Sequence, residues 1–558
     1  MRAREDESAA YAGKWMEPSQ SRVLERALAS ATSCAKIAGS FRPDADEVTT
    51  LRILTRLFLI TVVLALAALP VAAGDPVFLT ILHTNDTHSH LQPFSYPDVA
   101  VGGPELQGLA IHRNIGGIAR RASLVKRIRE QLASRGIVAW LVDAGDYSDG
   151  TPFSIEYHGE ADVAAMNAAG YDFGTLGNHE FNNTLSELQK LISLTRYQLV
   201  CANARVTATG EPLVPASVVK KIGDLRVGIF GILTHEAGTY RAGKEGVAVA
   251  NEVETARRMV TELRRSADAV VVISHAGKEI DEQIASQVPG IDVIVGGHSH
   301  SRFPNGEFVW RSEDLRVNDV NGTVIVQDHQ WGGELGRLDL QFVKDDSGDW
   351  HVDRYRSRLL PVTPDLPEDP AVAAVVEQFW KPIEARYAEV IGHAAGEFSA
   401  RGDDMAEYNL VDDAVREAMG AEFVMENLGG VRAPLLRGNI TRGDLVTLDP
   451  FSNTVVTFKA TGKDILRILK RYAPSVSGIR YRLQDGELVE ATIGGRPIEE
   501  NRTYSGASNS YFAGFALKGL TITDTGKVRL DVLTQYIRDK GTVKPAYDNR
   551  RVVLRKQR

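Results

Sequence analysis

A chain of 558 residues is long enough for two ordinary domains, and 43% hydrophobic with 24% charged residues is the balance of a folded protein with a large core. The formal charge of −8 at pH 7 argues against a scaffold gripping a nucleic-acid polymer through phosphate contacts, which calls for a basic surface; a small anionic substrate in a local cationic site stays open. Only two cysteines occur, Cys34 and Cys201. If the leader described next is removed, Cys201 stands alone, no intrachain disulfide can form, and its place at the end of the apolar run 197–201 predicts a buried core thiol.

Residues 57–69 form an uncharged apolar stretch, with Arg52 and Arg56 before it and the small residues Val71-Ala72-Ala73 behind it. That is the layout of a signal peptide. The stretch is shorter than the roughly 20 residues a membrane span prefers, so cleavage after a 1–73 leader is expected, giving a periplasmic or secreted product with no remaining span. No cysteine follows the exit, so a lipid-attached form is not expected. Signal peptides open their chains, whereas this one lies behind a long polar segment; residues 1–47 are therefore expected to be foreign to the native product, with Val48 as its start.

From residue 76 to 327, short apolar runs at 77–82, 137–142, 226–232, 269–273 and 291–295 read as buried strands. Between them, 119–133 and 252–265 carry apolar residues at helical spacing among charges, so an α/β domain with both sheet faces covered is predicted. The character changes over 343–370: a turn at Lys344-Asp-Asp-Ser-Gly-Asp is followed by Pro361, Pro364, Pro367 and Pro370, read as an extended connector. One long amphipathic helix is expected over 371–390, then a smaller α+β domain. The boundary is set at 365/366, giving domains 74–365 and 366–558. The basic ending 550–558 reads as a last strand with a solvated tail.

The chemistry-bearing residues follow the predicted strands. Strand one runs into His83-Thr-Asn-Asp86-Thr-His88, the second into Asp143-Ala-Gly-Asp146. Then come Gly177-Asn178-His179-Glu180, Ser274-His275 and Gly296-Gly-His298-Ser-His300. Strand ends are where α/β sheets gather ligand groups into one crevice. Two carboxylates, an amide oxygen and several imidazoles suit Zn²⁺, Mn²⁺, Co²⁺ or Fe²⁺ better than calcium. The glycines beside Asp146, Asn178 and His298 allow backbone to pack closely around such a cluster.

This series resembles the calcineurin-like metallophosphoesterases, with their Asp-x-His, Gly-Asp, Gly-Asn-His, His and Gly-His-x-His motifs, over residues 76–330. The resemblance implies an N-terminal αββα sandwich holding two divalent metal ions. Asp86, His88, Asp146 and His300 would bind one, and Asp146, Asn178, His275 and His298 the other, with Asp146 bridging. It also implies that His179 contacts the phosphoryl group and helps the leaving oxygen depart. In the nucleotidase branch an aspartate three residues on backs that histidine. Here Asn182 stands in that place, so a neutral orienting partner and a His179 pKa lower than an aspartate-backed site would show are expected.

Residues 401–515 resemble the C-terminal domain of bacterial exported 5′-nucleotidases and UDP-sugar hydrolases. The motif Asn-x-Gly-Gly-Ile-Arg appears as Asn427-Leu-Gly-Gly430-Val-Arg432, with Arg401 upstream, Asp449-Pro-Phe451, and Ser508-Asn-Ser-Tyr511. The resemblance implies that Arg401 and Arg432 hold phosphate, that Asn427 and Gly430 shape the pocket, and that Phe451 and Tyr511 sandwich a base. The ribose-binding aspartate of the family's Gly-Gly-Asp-Gly segment is replaced in Ala513-Gly-Phe-Ala. The expected function is release of phosphate from nucleotides. The alternatives are a 2′,3′-cyclic-nucleotide phosphodiesterase or UDP-sugar hydrolase, a thiosulfohydrolase-like relative, and a non-catalytic nucleotide-binding protein.

Overall fold

The computed structural model describes residues 75–554 apart from 102–105, 107–108, 110, 311–321 and 346. The leader, Cys34, Val48 and the last residues of the basic tail lie outside the described residues.

All five expected strands form, at Val77–Thr84, Val138–Asp143, Leu225–Leu233, Ala269–His275 and Val293–Gly296. They divide between two six-stranded sheets. In the first, Val77–Thr84 pairs in parallel with Val138–Asp143, which continues to Phe173–Gly174 and Gln198–Leu199. In the second, Ala269–His275 lies between Leu225–Leu233 and Val293–Gly296, parallel to both.

The period-two alternation of a strand decides what each apolar run covers. Leu79 and Ile81 face the opposite sheet, meeting a layer with Val227, Ile229, Val271 and Ile273, while Leu82 turns outward to the helices. On the far side, Val270 and Val272 turn to the helices of the second sheet. With no face left to water, the strands read as continuous apolar runs rather than alternating ones. The helix Ile118–Ala133 buries Ile118, Ala122, Val125, Ile128 and Leu132 on the first sheet. Glu252–Leu263 buries Ala256, Met259, Val260 and Leu263 on the second. Each fully buried Leu, Ile or Val adds about 1.5–3 kcal/mol. The result is the expected αββα sandwich, and Cys201 sits in its core, fully buried.

Two expectations are corrected. The stretch before 361 is not a connector: Glu334–Lys344 and Trp350–Pro361 are two long antiparallel strands that extend the first sheet, joined at the predicted Lys344–Asp349 turn. Nor is 371–390 one helix. Asp369 caps a helix Pro370–Trp380 by accepting from the Ala371 and Val372 amides, with Pro370 at the first helical position. Pro382 has no N–H to continue the ladder and crowds the preceding turn, so only a short second helix, Glu384–Tyr387, follows before a strand at Val390–Ala394.

The second domain is α+β, as expected. A five-stranded sheet, ordered Ser475–Ser477, Phe423–Glu426, Thr503–Asn509, Thr454–Thr461 and Ile522–Val528, packs with the helices Ala406–Met419, Gly462–Tyr472 and Arg529–Lys540. The basic ending forms a last strand, Arg551–Leu554, parallel to Ile479–Gln484.

Candidate metal centre and active site

Every expected metal-ligating side chain lies at the carboxyl end of a parallel strand, three loops coming from the first sheet and two from the second. The loops turn so sharply that Asp86, His88, Asp146, His298 and His300 all adopt positive φ, between 45° and 71°. L-residues avoid this region, Asp and His least, and it collects at functional sites where packing enforces it. Glycine is required beside them. A Cβ at Gly177 would lie 2.1 Å from Asp146 Oδ1 and 2.3 Å from its amide nitrogen.

These side chains form three overlapping groups, Asp86–His88–His300, His88–Asp146–His179 and Asp146–His275–His298, each with its ligand atoms within 4.8 Å of one another. Asn178 Oδ1 joins at 3.2 Å from His275 Nε2. Backbone carbonyls fix the imidazole tautomers: His275 Nδ1 lies 2.7 Å from the Ala144 oxygen, and His88 Nδ1 2.9 Å from the Asp149 oxygen. Both Nε2 lone pairs therefore turn inward, the arrangement that metal-binding histidines use. His88 Nε2 sits 3.1 Å from His300 Nε2, and His300 Nε2 3.2 Å from Asp86 Oδ1.

The field of the cluster is anionic. Burial pushes His275 down, but Asp146 and Asp86 outweigh it and raise its pKa to about 10, so a cation is strongly favoured at Nε2. Burial, with Arg432 and His179 nearby, drives His88 well below its ordinary value, and burial lowers His298 to about 4, leaving neutral imidazoles able to bind metal. Inward-facing lone pairs and buried carboxylates in a negative field fit divalent transition-metal ions.

Support comes from residues whose roles sequence reasoning did not assign. Asn85 donates to Asp86 Oδ2 at 2.7 Å and to the His329 carbonyl, fixing the carboxylate. Glu180 accepts from the amides of Asp146, Ser148 and Gly177, tying two ligand loops together; burial first, and Asp146 second, push its pKa up to about 7. Tyr240 Oη accepts from Asn178 Nδ2 at 3.1 Å.

The expectation for His179 is corrected. Its Nδ1 lies 2.8 Å from Asp149 Oδ2, a carboxylate from the loop after Asp146. Asn182 donates its amide to that same oxygen, and its Nδ2 is 3.2 Å from His179 Nδ1. Burial lowers the imidazole pKa, but the Asp146 charge and the Asp149 hydrogen bond outweigh it, so it is raised above its ordinary value, the charge that Asn182 lacks coming from Asp149.

From the second domain, Arg432 donates through Nη2 to His88 Nε2 at 2.9 Å, and the Phe451 ring lies 6.2 Å from that of His179. Tyr511 is 54% exposed and packs edge-on against Phe515. Asn427 accepts from Asn509 at 3.0 Å, and Gly429 holds φ 86° with its amide on Tyr408 Oη. Arg401 lies on an exposed short strand, its guanidinium 3.9 Å over the Tyr547 ring, so its contacts run there rather than to the ligand cluster. In the second domain, the fully buried Arg529 grips both Asp449 oxygens, the Gly430 carbonyl and Glu426. It thereby ties together two of the predicted substrate segments. No helix among the described residues is long and apolar enough to cross a membrane.

This sandwich and ligand cluster define a metal-dependent phosphoester hydrolase. The calcineurin-like phosphoesterase family matches residues 79–302 and the 5′-nucleotidase C-terminal domain family matches 390–518, so the chain belongs with the two-domain proteins that join these units. Calcineurin-like phosphoesterases use a dimetal centre. The chain is 26% identical over 491 residues to the protein UshA of Escherichia coli, covering 78% of this chain and 85% of that protein. It is 28% identical over 527 residues to a probable 5′-nucleotidase of Treponema pallidum, covering 79% and 86%. The crystal structure of a 5′-nucleotidase precursor from Thermus thermophilus superposes with a TM-score of 0.75 at 27% identity, covering 86% of this chain and all of that one.

Proposed function

We propose that the protein is an exported 5′-nucleotidase: a dimetal phosphohydrolase that releases phosphate from nucleotides, giving the nucleoside. The observation that carries this reading is the meeting of Arg432 and Phe451 from the second domain with His88 and His179 of the ligand cluster. An arginine and an aromatic face beside a phosphoesterase centre suit a substrate with a phosphate at one end and a flat base at the other. The relatives named as 5′-nucleotidases support it.

On this reading two divalent ions, Zn, Mn, Co or Fe, are bound, one by Asp86, His88, Asp146 and His300, the other by Asp146, Asn178, His275 and His298. When bound, such a pair acidifies water and offsets charge on the phosphoryl oxygens. His179 stabilises the transferring phosphoryl group. Arg432 binds phosphate oxygens, with Arg401 contributing from the exposed hairpin if that segment moves inward. Phe451 and Tyr511 stack on the base, and Asn427 and Gly430 shape the pocket wall between them. The domains are taken as 74–365 and 366–558, a boundary that falls in the stretch between the two matched segments, 79–302 and 390–518. Export rests on the signal-peptide layout of residues 52–73.

The test is hydrolysis by residues 74–558 of AMP, ATP, UDP-glucose, 2′,3′-cyclic AMP and an aryl phosphate, followed by chromatography of the products as well as by released phosphate, with Mn²⁺, Co²⁺, Zn²⁺ or EDTA. Metal-dependent turnover of AMP well above the aryl ester is expected. Preference for the cyclic ester or UDP-glucose would reassign the substrate within the same chemistry, and turnover of the aryl ester alone would discard the role given to the second domain.

A further inference from the structure

We propose that Asp149 is the positioning residue of His179, doing from a different loop the work for which position 182 carries no carboxylate. The inference rests on the reading of His179 as the group that acts on the phosphoryl ester. Asp149 follows the bridging candidate Asp146 in the loop after Val138–Asp143, while His179 and Asn182 follow the neighbouring strand Phe173–Gly174. Sheet pairing brings together side chains thirty residues apart in the chain.

The geometry separates the two candidates. His179 Nδ1 and Asp149 Oδ2 are 2.8 Å apart, with the side chains only 9% and 16% exposed. The Asn182 amide nitrogen is a donor only, so it cannot take a proton from Nδ1; it donates instead to Asp149 Oδ2. Turning the amide over would set its oxygen against the carboxylate. Asn182 thus holds the carboxylate, and the carboxylate holds the imidazole. With Nδ1–H committed to Asp149, Nε2 faces the ligand cluster, 3.8 Å from Asp146 Oδ2.

The loop is built to keep Asp149 there. Its backbone has φ 71° and its carbonyl accepts from His88 Nδ1. Next to it, Gly150 has no room for a side chain, since a Cβ would lie 2.8 Å from the His88 carbonyl oxygen, and its amide donates to Ser154 Oγ. One residue therefore orients two imidazoles, His88 through its backbone and His179 through its side chain.

In ester hydrolysis water adds to phosphorus, and the P–O bond to the leaving group breaks with its electron pair going to the leaving oxygen. That oxygen ends with one proton, matched by the proton water loses. A group that aims His179 Nε2 at the leaving oxygen matters most when that oxygen is a poor leaving group, as in an alkyl or nucleoside ester, and least for a nitrophenolate.

The experiment compares wild type, Asp149→Asn, Asn182→Asp, the double exchange and His179→Asn, with an alkyl phosphate, AMP and p-nitrophenyl phosphate. Asp149→Asn keeps the backbone carbonyl on His88, so bound metal, measured by elemental analysis, should be unchanged. Its kcat should fall about 10²-fold on the alkyl ester and AMP, far less on the nitrophenyl ester, with KM little altered. The double exchange, which moves the carboxylate to position 182, should restore most of the loss. In the metal-free protein, imidazole ¹⁵N spectra should show a proton on His179 Nδ1 in wild type and in the double exchange. Equal loss on all esters without rescue, an undiminished Asp149→Asn, or a His179 protonated only at Nε2 would overturn the inference. Turnover that survives His179→Asn would overturn the role of the histidine and with it that of Asp149. A wild type inactive on every ester would overturn the proposed function itself.

Discussion

The ligand loops of the phosphoesterase domain and the recognition segments of the second domain differ in the freedom they leave their side chains. Asp86, His88, Asp146, Asn178 and His275 are buried, and the first three take strained backbone angles that neighbouring amides and carboxylates enforce. Phe451 is half-buried and Tyr511 largely exposed, on segments held by Arg529 through Asp449 and by Asn509 through Asn427 and the Phe512 amide, while Arg401 is exposed on a short hairpin against Tyr547. Chemistry at phosphorus tolerates little displacement, so its ligands are locked before substrate arrives. On the proposed function a stacked base would need only a flat face, which suits side chains left near the surface over a rigid layer.

The largest effect should come from the locked half. Asp146→Asn, removing a charge shared by two ligand groups, should lower kcat at least about 10³-fold on every ester and reduce bound metal, with EDTA producing the same loss in wild type. Near-normal turnover with normal metal content would break the assignment. Gly177→Ala comes next. Its added Cβ meets Asp146 at 2.1 Å, and a ligand displaced by about 1 Å should cost about 10²-fold in kcat on nucleotide and aryl esters alike.

Arg529→Met tests the layer beneath the recognition face. It strands Asp449 and Glu426 without their buried cation, so urea unfolding should report a loss of about 3–5 kcal/mol. Its KM for AMP should rise about tenfold while the aryl ester changes little, as a distorted pocket predicts. The smallest effect is expected for Tyr511→Ala. Stacking on a half-exposed ring is worth about 1 kcal/mol, so KM for AMP should rise about fivefold with kcat and aryl-ester kinetics unchanged. An equal loss on the aryl ester would place Tyr511 in the phosphoryl site and blur the contrast between the two halves.

Much of the locked half could be read along the chain. The apolar runs gave the strands because both sheet faces are covered, and the ligands stand within a few residues of strand ends, so order in sequence became proximity in space. Trp350–Pro361 was harder to read: it is an edge strand, half-exposed and rich in charge, with none of the continuous apolar character of its neighbours. Over 371–390 the apolar pattern runs on through Pro382, but the missing N–H of that proline divides the helix.

The sequence by itself determined an α/β domain with covered sheet faces and the candidate ligands, because these depend on local periodicity and on residue types set beside strand ends; the sandwich and the recognition motifs followed from the resemblance those residues carry. Only the tertiary structure decided which carboxylate serves His179, how Glu180 joins two ligand loops, and that Arg529 lies under the recognition segments. Asp149 stands 30 residues from its histidine, and Arg529 stands 80 and 103 from Asp449 and Glu426. Such pairings carry no period and no spacing. They follow from which strands lie side by side and which helix packs beneath them, and from the cost of burying a charge without its partner.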